Sequence, residues 1–437
     1  KTWYAGKDIA FDFSQVRPTG ARLKIMGGKA SGPEPLRSLL AFARERTLAR
    51  QGRRLRNIDA HDIICKIGEC VVSGGVRRTA MISLSDLDDT DMRDAKKGQF
   101  FITDPHRSVA NNSAVYEIKP SSTELIEEWV ALMKSGSGER GIFNRGTLLN
   151  TIPTRRAKYF KKRGFITDEG VVHGSVGTNP CGEIILQSKQ FCNLSEIIAR
   201  SDDTFESLLR KARLAALLGT YQSTLTKFSF ISKDWKKHCE DECLLGVSVT
   251  GQWDSEAARQ PETLRAMRDI AIKANGAYAK RFGVKPSLSV TAVKPSGTVS
   301  QTFNCSSGIH PRHAKYYIRR IRISATDSLF KMLRDQGVTY YPEVGQSQER
   351  ASTFVLEFPV ESPGKSVFKD DLSALEQLEY WKVVKLNFTE HNPSATISVG
   401  EDEWIGVVDW LQKNWEIIGG LSFLPRTDYV YKLAPYE

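Results

Sequence analysis

The spacing of apolar and polar positions predicts several amphipathic helices. Ser121 and Glu124 have the spacing of a capping box, in which each side chain binds the other residue's backbone N–H at a helix start. Leu125 and Trp129 follow at helical spacing, and Gly136 can end this helix in a left-handed conformation. By the same reasoning we expect helices at residues 206–225, 372–386 and 402–415.

Other segments have the composition of β-strands. They are rich in β-branched residues and bounded by Gly, Pro or Ser, and several are apolar or small on both faces, as in a sheet covered by helices. The predicted strands are residues 78–84, 244–250, 288–293, 353–358 and 396–399. Because strands and helices alternate along most of the chain, the sequence predicts an α/β fold with either an open sheet or a closed barrel.

Two basic segments are interpreted as surface. Residues 152–173 are basic and irregular, and we expect a surface excursion between sheet elements. In the other segment a single acidic residue, Glu45, stands among six arginines: Arg44, Arg46, Arg50, Arg53, Arg54 and Arg56. No aromatic residues interleave these arginines as stacking platforms, so a solvated face is favoured over nucleic-acid binding.

Composition narrows the class of protein. The chain has 437 residues, of which 40% are hydrophobic and 26% charged, which is typical of a folded globular protein and excludes wholesale disorder. No uncharged apolar run approaches the roughly 18 residues of a membrane span. The formal net charge of +11 suits polyanionic ligands, although a basic, solvated surface explains it equally simply. Seven thinly spread cysteines argue against a secreted disulfide framework and favour a reducing cytoplasm.

The strongest chemical signal is the run Asn179-Pro180-Cys181-Gly182-Glu183. Pro180 stiffens this turn and Gly182 permits a tight bend, so an amide, a thiol and a carboxylate can converge on one small ligand. That arrangement suits a reacting cysteine beside a proton-transferring carboxylate, although a buried cysteine in an ordinary turn is the simpler alternative.

A second cysteine, Cys192, follows Cys181 by eleven positions, in Phe191-Cys192-Asn193-Leu194. The spacing is neither a Cys-x-x-Cys redox pair nor a zinc pattern. The two thiols either face a common pocket or are separate core residues. His238, Cys239 and Cys243 have no second ligand pair nearby, so we expect no metal site.

Glycine-rich turns offer candidate phosphate sites. After the predicted strand 288–293 comes Lys294-Pro295-Ser296-Gly297-Thr298-Val299-Ser300, whose backbone N–H groups and hydroxyls could bind a phosphate. The turn Gly74-Gly75-Val76-Arg77-Arg78 carries two cations, and residues 27–32 form another such turn. The 294–300 run is not a Walker A loop, because it lacks Gly-Lys-Ser/Thr. An ordinary turn without a ligand is the alternative for all three segments.

Taken together, these segments resemble the ribonucleotide reductases. The similarity rests on the 179–183, 191–194, 73–78 and 294–300 runs, with supporting stretches at 137–145, 307–313 and 393–399. It extends from about residue 17 to 424, and the match is closest to the monomeric, adenosylcobalamin-dependent class that reduces ribonucleoside triphosphates. The eleven-residue gap between the two cysteines is typical of that class, since the oxygen-dependent class has a longer one.

The resemblance implies a fold and a set of roles. Residues 1–437 would form one catalytic domain, a ten-stranded α/β barrel with a central finger loop. Cys181 would become the thiyl radical that removes the ribose 3′ hydrogen, Glu183 would accept the 3′-hydroxyl proton, and Asn179 would hydrogen-bond the ribose hydroxyls. Cys192 would be one of two cysteines that supply electrons and close to a disulfide.

The resemblance also implies ligands and partners. Pro295, Ser296, Gly297, Thr298, Val299 and Ser300 would hold the substrate phosphates, and Gly74, Gly75, Val76, Arg77 and Arg78 would belong to the loop that links effector identity to base choice. Adenosylcobalamin would be the cofactor, a ribonucleoside triphosphate the substrate, a deoxyribonucleoside triphosphate a possible effector and a thioredoxin-like dithiol the reductant. The protein would be a cytoplasmic monomer without a stable nucleic-acid or membrane partner.

The chain departs from the family pattern in its cysteines. The family's second electron-donating cysteine lies on an early barrel strand, but the first cysteines here are Cys65 and Cys70, beside the Gly74 turn. The family's C-terminal cysteine pair has no counterpart after Cys305. Two alternatives therefore stay open: an oxygen-dependent or glycyl-radical reductase, and a non-catalytic nucleotide-binding relative.

Overall fold

The architecture comes from a computed structural model. It describes all residues except 24–28, 71, 74, 75, 78, 168, 169, 171, 173, 345, 350, 352 and 427–432, and of residues 72, 73, 76 and 77 only the backbone. The α-helices, in chain order, are α1 (Glu34–Leu48), α2 (Asn57–Cys70), α3 (Thr90–Arg93), α4 (Phe100–Thr103), α5 (Ser122–Ser135), α6 (Leu148–Thr151), α7 (Thr154–Lys162), α8 (Phe205–Gln222), α9 (Lys233–Glu242), α10 (Glu256–Arg259), α11 (Pro261–Phe282), α12 (Val299–Thr302), α13 (Ser328–Asp335), α14 (Ala374–Asn387) and α15 (Trp404–Lys413).

The predicted helices are confirmed with small shifts at their ends. At the start of α5 the Ser121 side chain accepts a hydrogen bond from the backbone of Glu124, whose carboxylate bonds back to Ser121, and Gly136 ends the helix with a φ of 63°. The other three correspond to α8, α14 and α15, and Thr204 and Ser373 cap α8 and α14.

The strands, in chain order, are β1 (Val72–Ser73), β2 (Val76–Arg77), β3 (Met81–Ser85), β4 (Ala110–Tyr116), β5 (Gly141–Asn144), β6 (Val176–Thr178), β7 (Ile185–Gln187), β8 (Asn193–Ile198), β9 (Leu245–Thr250), β10 (Tyr316–Ser324), β11 (Tyr340–Pro342), β12 (Thr353–Glu361), β13 (Thr396–Val399) and β14 (Gly420–Pro425). Four of the five predicted strands are confirmed as β3, β9, β12 and β13; the first starts at Met81 instead of residue 78. The fifth, 288–293, pairs through isolated bridges at Thr291 and Val293 and is not a regular strand.

Several of these strands are hydrogen-bonded side by side in one continuous order. β8 pairs with β9 in parallel, and β9 bonds to residues 289–293, which bond to residues 392–394 just before β13. From there the order continues as β13-β14-β5-β4-β3. All neighbours are parallel except β14 and β5, so two parallel groups run in opposite directions. The α/β class is confirmed. The pairings between the described strands do not by themselves show a closed ten-stranded barrel.

Apolar residues cover both faces of the sheet. Ala114 and Tyr116 of β4 and Ile142 of β5 belong to a large core shared with α5, α8, α11, α14 and α15. The alternate residues, Val115 and Phe143, point into a second core with Phe160 of α7 and Ile185 of β7. This two-residue alternation places the β6–β7 hairpin on the face opposite the main helical layer.

The interpretation of residues 152–173 as a surface excursion is wrong. The segment contains α7, on which Arg156 and Phe160 are completely buried. Arg156 Nε donates to Glu242 Oε2 at 2.6 Å, and Nη2 donates to Ile185 O at 2.7 Å. The basic composition of the segment did not reveal this inward face. In a sequence, a buried arginine with a carboxylate partner cannot be distinguished from an exposed arginine.

Part of the arginine-rich segment is paired with acidic residues of the same chain. Arg44 pairs with Asp8, and Arg50 and Arg56 both pair with Asp59, at distances of 2.8–3.2 Å. Arginines engaged in these ion pairs are less available to bind the phosphates of a nucleic acid. Separately, no helix among the described residues is long and apolar enough to cross a membrane.

Breaking the Arg156–Glu242 pair should destabilise the fold. Arg156→Met leaves a buried, uncompensated carboxylate, and we expect the free energy of unfolding to fall by about 3–5 kcal/mol, measured by urea denaturation. Lys413→Met, which breaks an exposed ion pair with Asp409, is the control and should cause no resolvable change. Equal effects of the two substitutions would contradict the structural role of the buried pair.

Candidate active site

The run 179–184, hereafter the cysteine loop, forms the tip of the β6–β7 hairpin. The loop closes on itself: Asn179 N donates to Ile184 O at 3.1 Å, and Ile184 N donates to Asn179 Oδ1 at 2.9 Å. Gly182 N donates to Asn179 O at 2.9 Å, and Gly182 has a φ of 83°. A left-handed residue is needed there, so the glycine is a requirement of the turn.

Both groups of parallel strands hold the cysteine loop. Asn111 of β4 donates from Nδ2 to Pro180 O at 2.7 Å. On the other side, Ser394 Oγ donates to Cys181 O at 2.5 Å, and Asn392 N donates to Glu183 O at 3.0 Å. Sequence analysis missed Asn111 and Asn392, and only the 393–399 stretch gave a signal for Ser394.

Cys181 opens onto a groove of small and polar residues. Its wall includes Ile82, Asn111, Phe143, Ser394, Gly420 and Ser422. Cys181 is exposed, and a Cβ placed on neighbouring Gly182 would meet no atom within 4 Å, so the space above the loop is open. The thiol can therefore be reached from outside the protein.

The environment of Cys181 keeps its sulfur protonated. Removal of water around the side chain, and then the charge of Glu183, raise the pKa of this thiol to about 11, while Lys294 acts in the opposite direction. At neutral pH the group is an S–H, which is the form needed to give up a hydrogen atom. A nucleophilic cysteine would instead be held as a thiolate by nearby positive charge.

Glu183 is a buried carboxylate with one oxygen unused. The residue is 1% exposed, and Oε2 has no hydrogen-bond partner. Burial raises the pKa of this carboxyl, while the hydrogen bond from Asn179 and the charge of Lys294 lower it. A buried polar atom without a partner is costly, and such atoms in native proteins call for an explanation such as a ligand.

Cys192 lies on the same side as Glu183. Burial, and then the charge of Glu183, raise the pKa of the Cys192 thiol. Its sulfur would be 3.2 Å from a Cβ on Gly246 of β9, so the absence of a side chain there makes room for Cys192. Since the Glu183 carboxylate influences both thiols, the hairpin and β8 bring the three groups into one neighbourhood.

The 295–300 loop follows residues 289–293 and leads into α12. Two of its predicted phosphate-binding hydroxyls are used internally, because Ser296 and Ser300 are fully buried and hydrogen-bond each other. Gly297 and Thr298 are exposed, and a Cβ on Gly297 would meet no atom within 4 Å. The charge of adjacent Lys294 lowers the pKa of both Cys181 and Glu183, which places the start of this loop beside the cysteine loop.

The predicted effector turn lies mostly outside the described residues. Gly74, Gly75 and Arg78 are not described, and Val76 and Arg77 are described only as the backbone of β2, paired with β1. The turn at 27–32 is likewise described only from residue 29 onward.

The other candidate groups lie apart from the cysteine loop. Among the described residues, Asp62, Asp104 and His106 have ligand atoms close enough for a metal, but Arg107 donates to both Asp62 oxygens at 2.7 and 2.9 Å. A guanidinium therefore occupies the place of a cation. Cys65 is buried on α2 beside His61, 3.4 Å from its Nε2.

The sequence of the chain is similar to those of curated ribonucleotide reductases. The chain is 30% identical to the adenosylcobalamin-dependent ribonucleoside-triphosphate reductase of Lactobacillus delbrueckii subsp. bulgaricus, over 98% of this chain and 60% of the relative. It is 29% identical to the enzyme of the same name from Lactobacillus leichmannii, with the same coverage. The resemblance to these reductases is confirmed. The chain spans about three fifths of the length of the curated relatives it matches.

Solved structures agree with the sequence relatives. A crystal structure of a B12-dependent, class II ribonucleotide reductase matches with a TM-score of 0.72 and 26% identity, over 98% of this chain and 61% of that chain. The α subunit of the class Id ribonucleotide reductase of Actinobacillus ureae matches with a TM-score of 0.55 and 13% identity, over 90% and 81%, which shows similarity of fold alone. No family-wide sequence profile matches the chain.

The electrostatic link between Glu183 and Cys181 gives a direct prediction. Glu183→Gln removes a negative charge that disfavours the thiolate, so the pKa of Cys181 should fall. At pH 8 we expect Cys181 to be alkylated by iodoacetamide roughly three- to tenfold faster than in the wild type, since a unit of pKa changes the thiolate fraction tenfold. The rate is followed by peptide mass spectrometry. Glu127→Gln, on the exposed face of α5, is the control. An equal acceleration in the control, or no acceleration in Glu183→Gln, would argue against the link.

Proposed function

We propose that this chain is the catalytic part of an adenosylcobalamin-dependent ribonucleotide reductase that acts on ribonucleoside triphosphates. The observation that carries the proposal is the buried, half-unpartnered carboxylate of Glu183 beside a protonated Cys181 thiol at an open groove. This pairing suits removal of a hydrogen atom by sulfur together with removal of a proton by carboxylate.

The residues present fit the cofactor at the sulfur. Cys181 is accessible, and a Cβ on Gly182 would meet no protein atom within 4 Å, so a group outside the groove can approach the thiol past Ser394, Gly420 and Ser422. When bound, adenosylcobalamin supplies the carbon-centred radical that an ordinary side chain cannot generate. The chain's task is to keep Cys181 as a thiol in a fixed position and to exclude competing reductants.

Glu183 and Asn179 would act on the ribose. The thiyl radical on Cys181 takes the 3′ hydrogen atom, and Glu183 Oε2 takes the proton of the 3′-hydroxyl. The Asn179 side chain hydrogen-bonds Glu183 and so restrains its rise in pKa, which favours an ionised base despite burial. Asn179 would also bond the ribose hydroxyls.

Cys192 would supply reducing equivalents. Cys192 and a second thiol would give two electrons and their protons as the 2′-hydroxyl leaves as water, and the two sulfurs would close to a disulfide. The high pKa of Cys192 keeps it protonated until a proton is needed. A thioredoxin-like dithiol would restore the thiols by exchange. Cys70, at the end of α2, is the fallback candidate for the second thiol.

The 295–300 loop would receive the substrate phosphates. The backbone N–H groups of Gly297, Thr298 and Val299, with the exposed Thr298 hydroxyl, form the anion-binding part, while Ser296 and Ser300 shape the loop from within. The net charge of +11 is compatible with a polyphosphate substrate.

The remaining parts of the proposal follow the resemblance. Residues 1–437 would form one catalytic domain within a ten-stranded barrel, with the cysteine loop as its central finger. Residues 74–78 would link a deoxyribonucleoside triphosphate effector to base choice. The enzyme would be monomeric and cytoplasmic.

The cofactor assignment is tested by activity. With adenosylcobalamin, a dithiol and a ribonucleoside triphosphate, we expect deoxyribonucleotide formation that is absent without the cofactor. Cys181→Ser should lower turnover about a thousandfold or more, because an alcohol does not form the required radical. Cys192→Ser should permit only abortive release of base, and Cys243→Ala, at a buried thiol of α9's C-terminus, is the control. Full activity with an iron or manganese subunit in place of adenosylcobalamin would contradict the proposal.

The phosphate role of the 295–300 loop is tested separately. Gly297→Ala places a methyl group in open space, so the fold should be unaffected while the phosphates are obstructed. We expect KM for the nucleotide to rise about tenfold with kcat changed less than about threefold, since the lost interaction is uniform binding. Gly276→Ala, an open position on α11, is the matched control. An unchanged KM in the Gly297 variant would exclude this loop from phosphate binding.

A further inference from the structure

One short segment binds three consecutive carbonyl oxygens of the cysteine loop. Ser394 Oγ donates to Cys181 O, Asn392 Nδ2 donates to Gly182 O at 3.2 Å, and Asn392 N donates to Glu183 O at 3.0 Å. The two residues of the segment lie more than two hundred positions away in sequence. Because these carbonyls are fixed, the directions in which the side chains of Cys181 and Glu183 leave the backbone are fixed as well.

The side-chain amide of Asn392 connects the cysteine loop to β14 and α14. Its Nδ2 donates also to Gly420 O at 3.1 Å, so one amide group ties the turn to β14. Its Oδ1 faces Lys385 Nζ of α14 at 3.4 Å. An asparagine amide can be turned end for end, but an ammonium group only donates hydrogen bonds. The two carbonyl acceptors and Lys385 therefore favour the same orientation, in which the amide oxygen faces α14 and the nitrogen faces Gly182.

Lys385 bonds only to the segment that holds the cysteine loop, as far as the described residues show. It is 6% exposed, it has no carboxylate partner among the residues that the structure describes, and Nζ donates to His391 O at 2.9 Å. Burial lowers the pKa of this amine to about 7, which measures how unfavourable the position is for a charge. Asn392 is also accommodated by Gly419, where a Cβ would be only 2.8 Å from Oδ1.

We propose that Asn392, oriented by Lys385, is a positioning residue that holds the Cys181–Glu183 turn in the geometry needed for hydrogen-atom and proton removal. Neither side chain touches the substrate. Both act through the backbone of the cysteine loop. The consequence for turnover rests on the proposed function, whereas the effect on the Cys181 thiol does not.

The test is the pH profile of Cys181 alkylation in the absence of cofactor and nucleotide. In Asn392→Ala the Gly182 and Gly420 carbonyls lose their donor, the turn loosens, and the thiol becomes better hydrated and more distant from Glu183. We expect the alkylation midpoint to fall by about one pH unit or more, which is a roughly tenfold faster reaction at pH 8. Lys385→Met should shift the midpoint in the same direction by a smaller amount, since Asn392 Oδ1 then loses its donor while both Nδ2 bonds remain.

Asn275→Ala is the matched control. Asn275 is a buried asparagine on α11 that bonds Thr220 and Ser287, so its loss should destabilise the fold without moving the Cys181 profile. If Asn392→Ala does not fold, Ser394→Ala replaces it, with an expected shift of about half a unit. A natively folded Asn392→Ala, or Ser394→Ala in its place, with the wild-type midpoint overturns the proposal. So does an equal shift in Asn275→Ala.

Turnover gives an independent readout. If the proposed reductase activity is observed, Asn392→Ala should lower kcat by roughly a hundredfold and change the KM for nucleotide less than about threefold, because the phosphate loop is untouched. A rise in KM with kcat unchanged would contradict a positioning role. If the wild type shows no reductase activity, the proposed function fails, and the alkylation profiles still decide whether Asn392 positions the loop.

Discussion

The cysteine loop depends on hydrogen bonds to its carbonyl oxygens. The tip of the β6–β7 hairpin buries few apolar side chains besides Ile184, so packing alone cannot fix its shape. Its backbone is held by its own Asn179 and by side chains from two oppositely directed groups of strands, with Asn111 on one side and Asn392 and Ser394 on the other. Any displacement of one group relative to the other would move Cys181.

The cysteine loop keeps the Cys181 thiol protonated and also leaves it accessible. Withdrawal from water and the Glu183 charge keep Cys181 protonated, while Gly182 leaves the space above it open. Burial of Glu183 would by itself neutralise the carboxylate, and Asn179 and Lys294 act against that. Each ionisable group therefore has a neighbour that limits the effect of burial, which is how a buried site retains a base.

The surrounding fold supplies rigidity rather than chemistry. Covering the sheet on both faces fixes the strands that carry Asn111 and Gly246. The buried Arg156–Glu242 pair secures the base of the hairpin through Ile185 O. Sequence analysis interpreted the segment around Arg156 as surface because a basic composition is usual for exposed segments, and only the position of Glu242 on α9 shows that the charge is compensated inside.

The sequence by itself determined four helices, four strands, the α/β class and the residue types of the cysteine loop, because capping boxes, apolar periodicity and a Pro-Gly turn are local properties of the chain. It also indicated Cys192 and the 295–300 loop. The tertiary structure decided that Glu183 has a free oxygen, that Ser296 and Ser300 face inward, and that Asn392 reaches Gly182 while Lys385 reaches Asn392. Those facts depend on which strands pair and in what register, and hydrogen bonds between residues two hundred positions apart leave no periodic trace in the sequence.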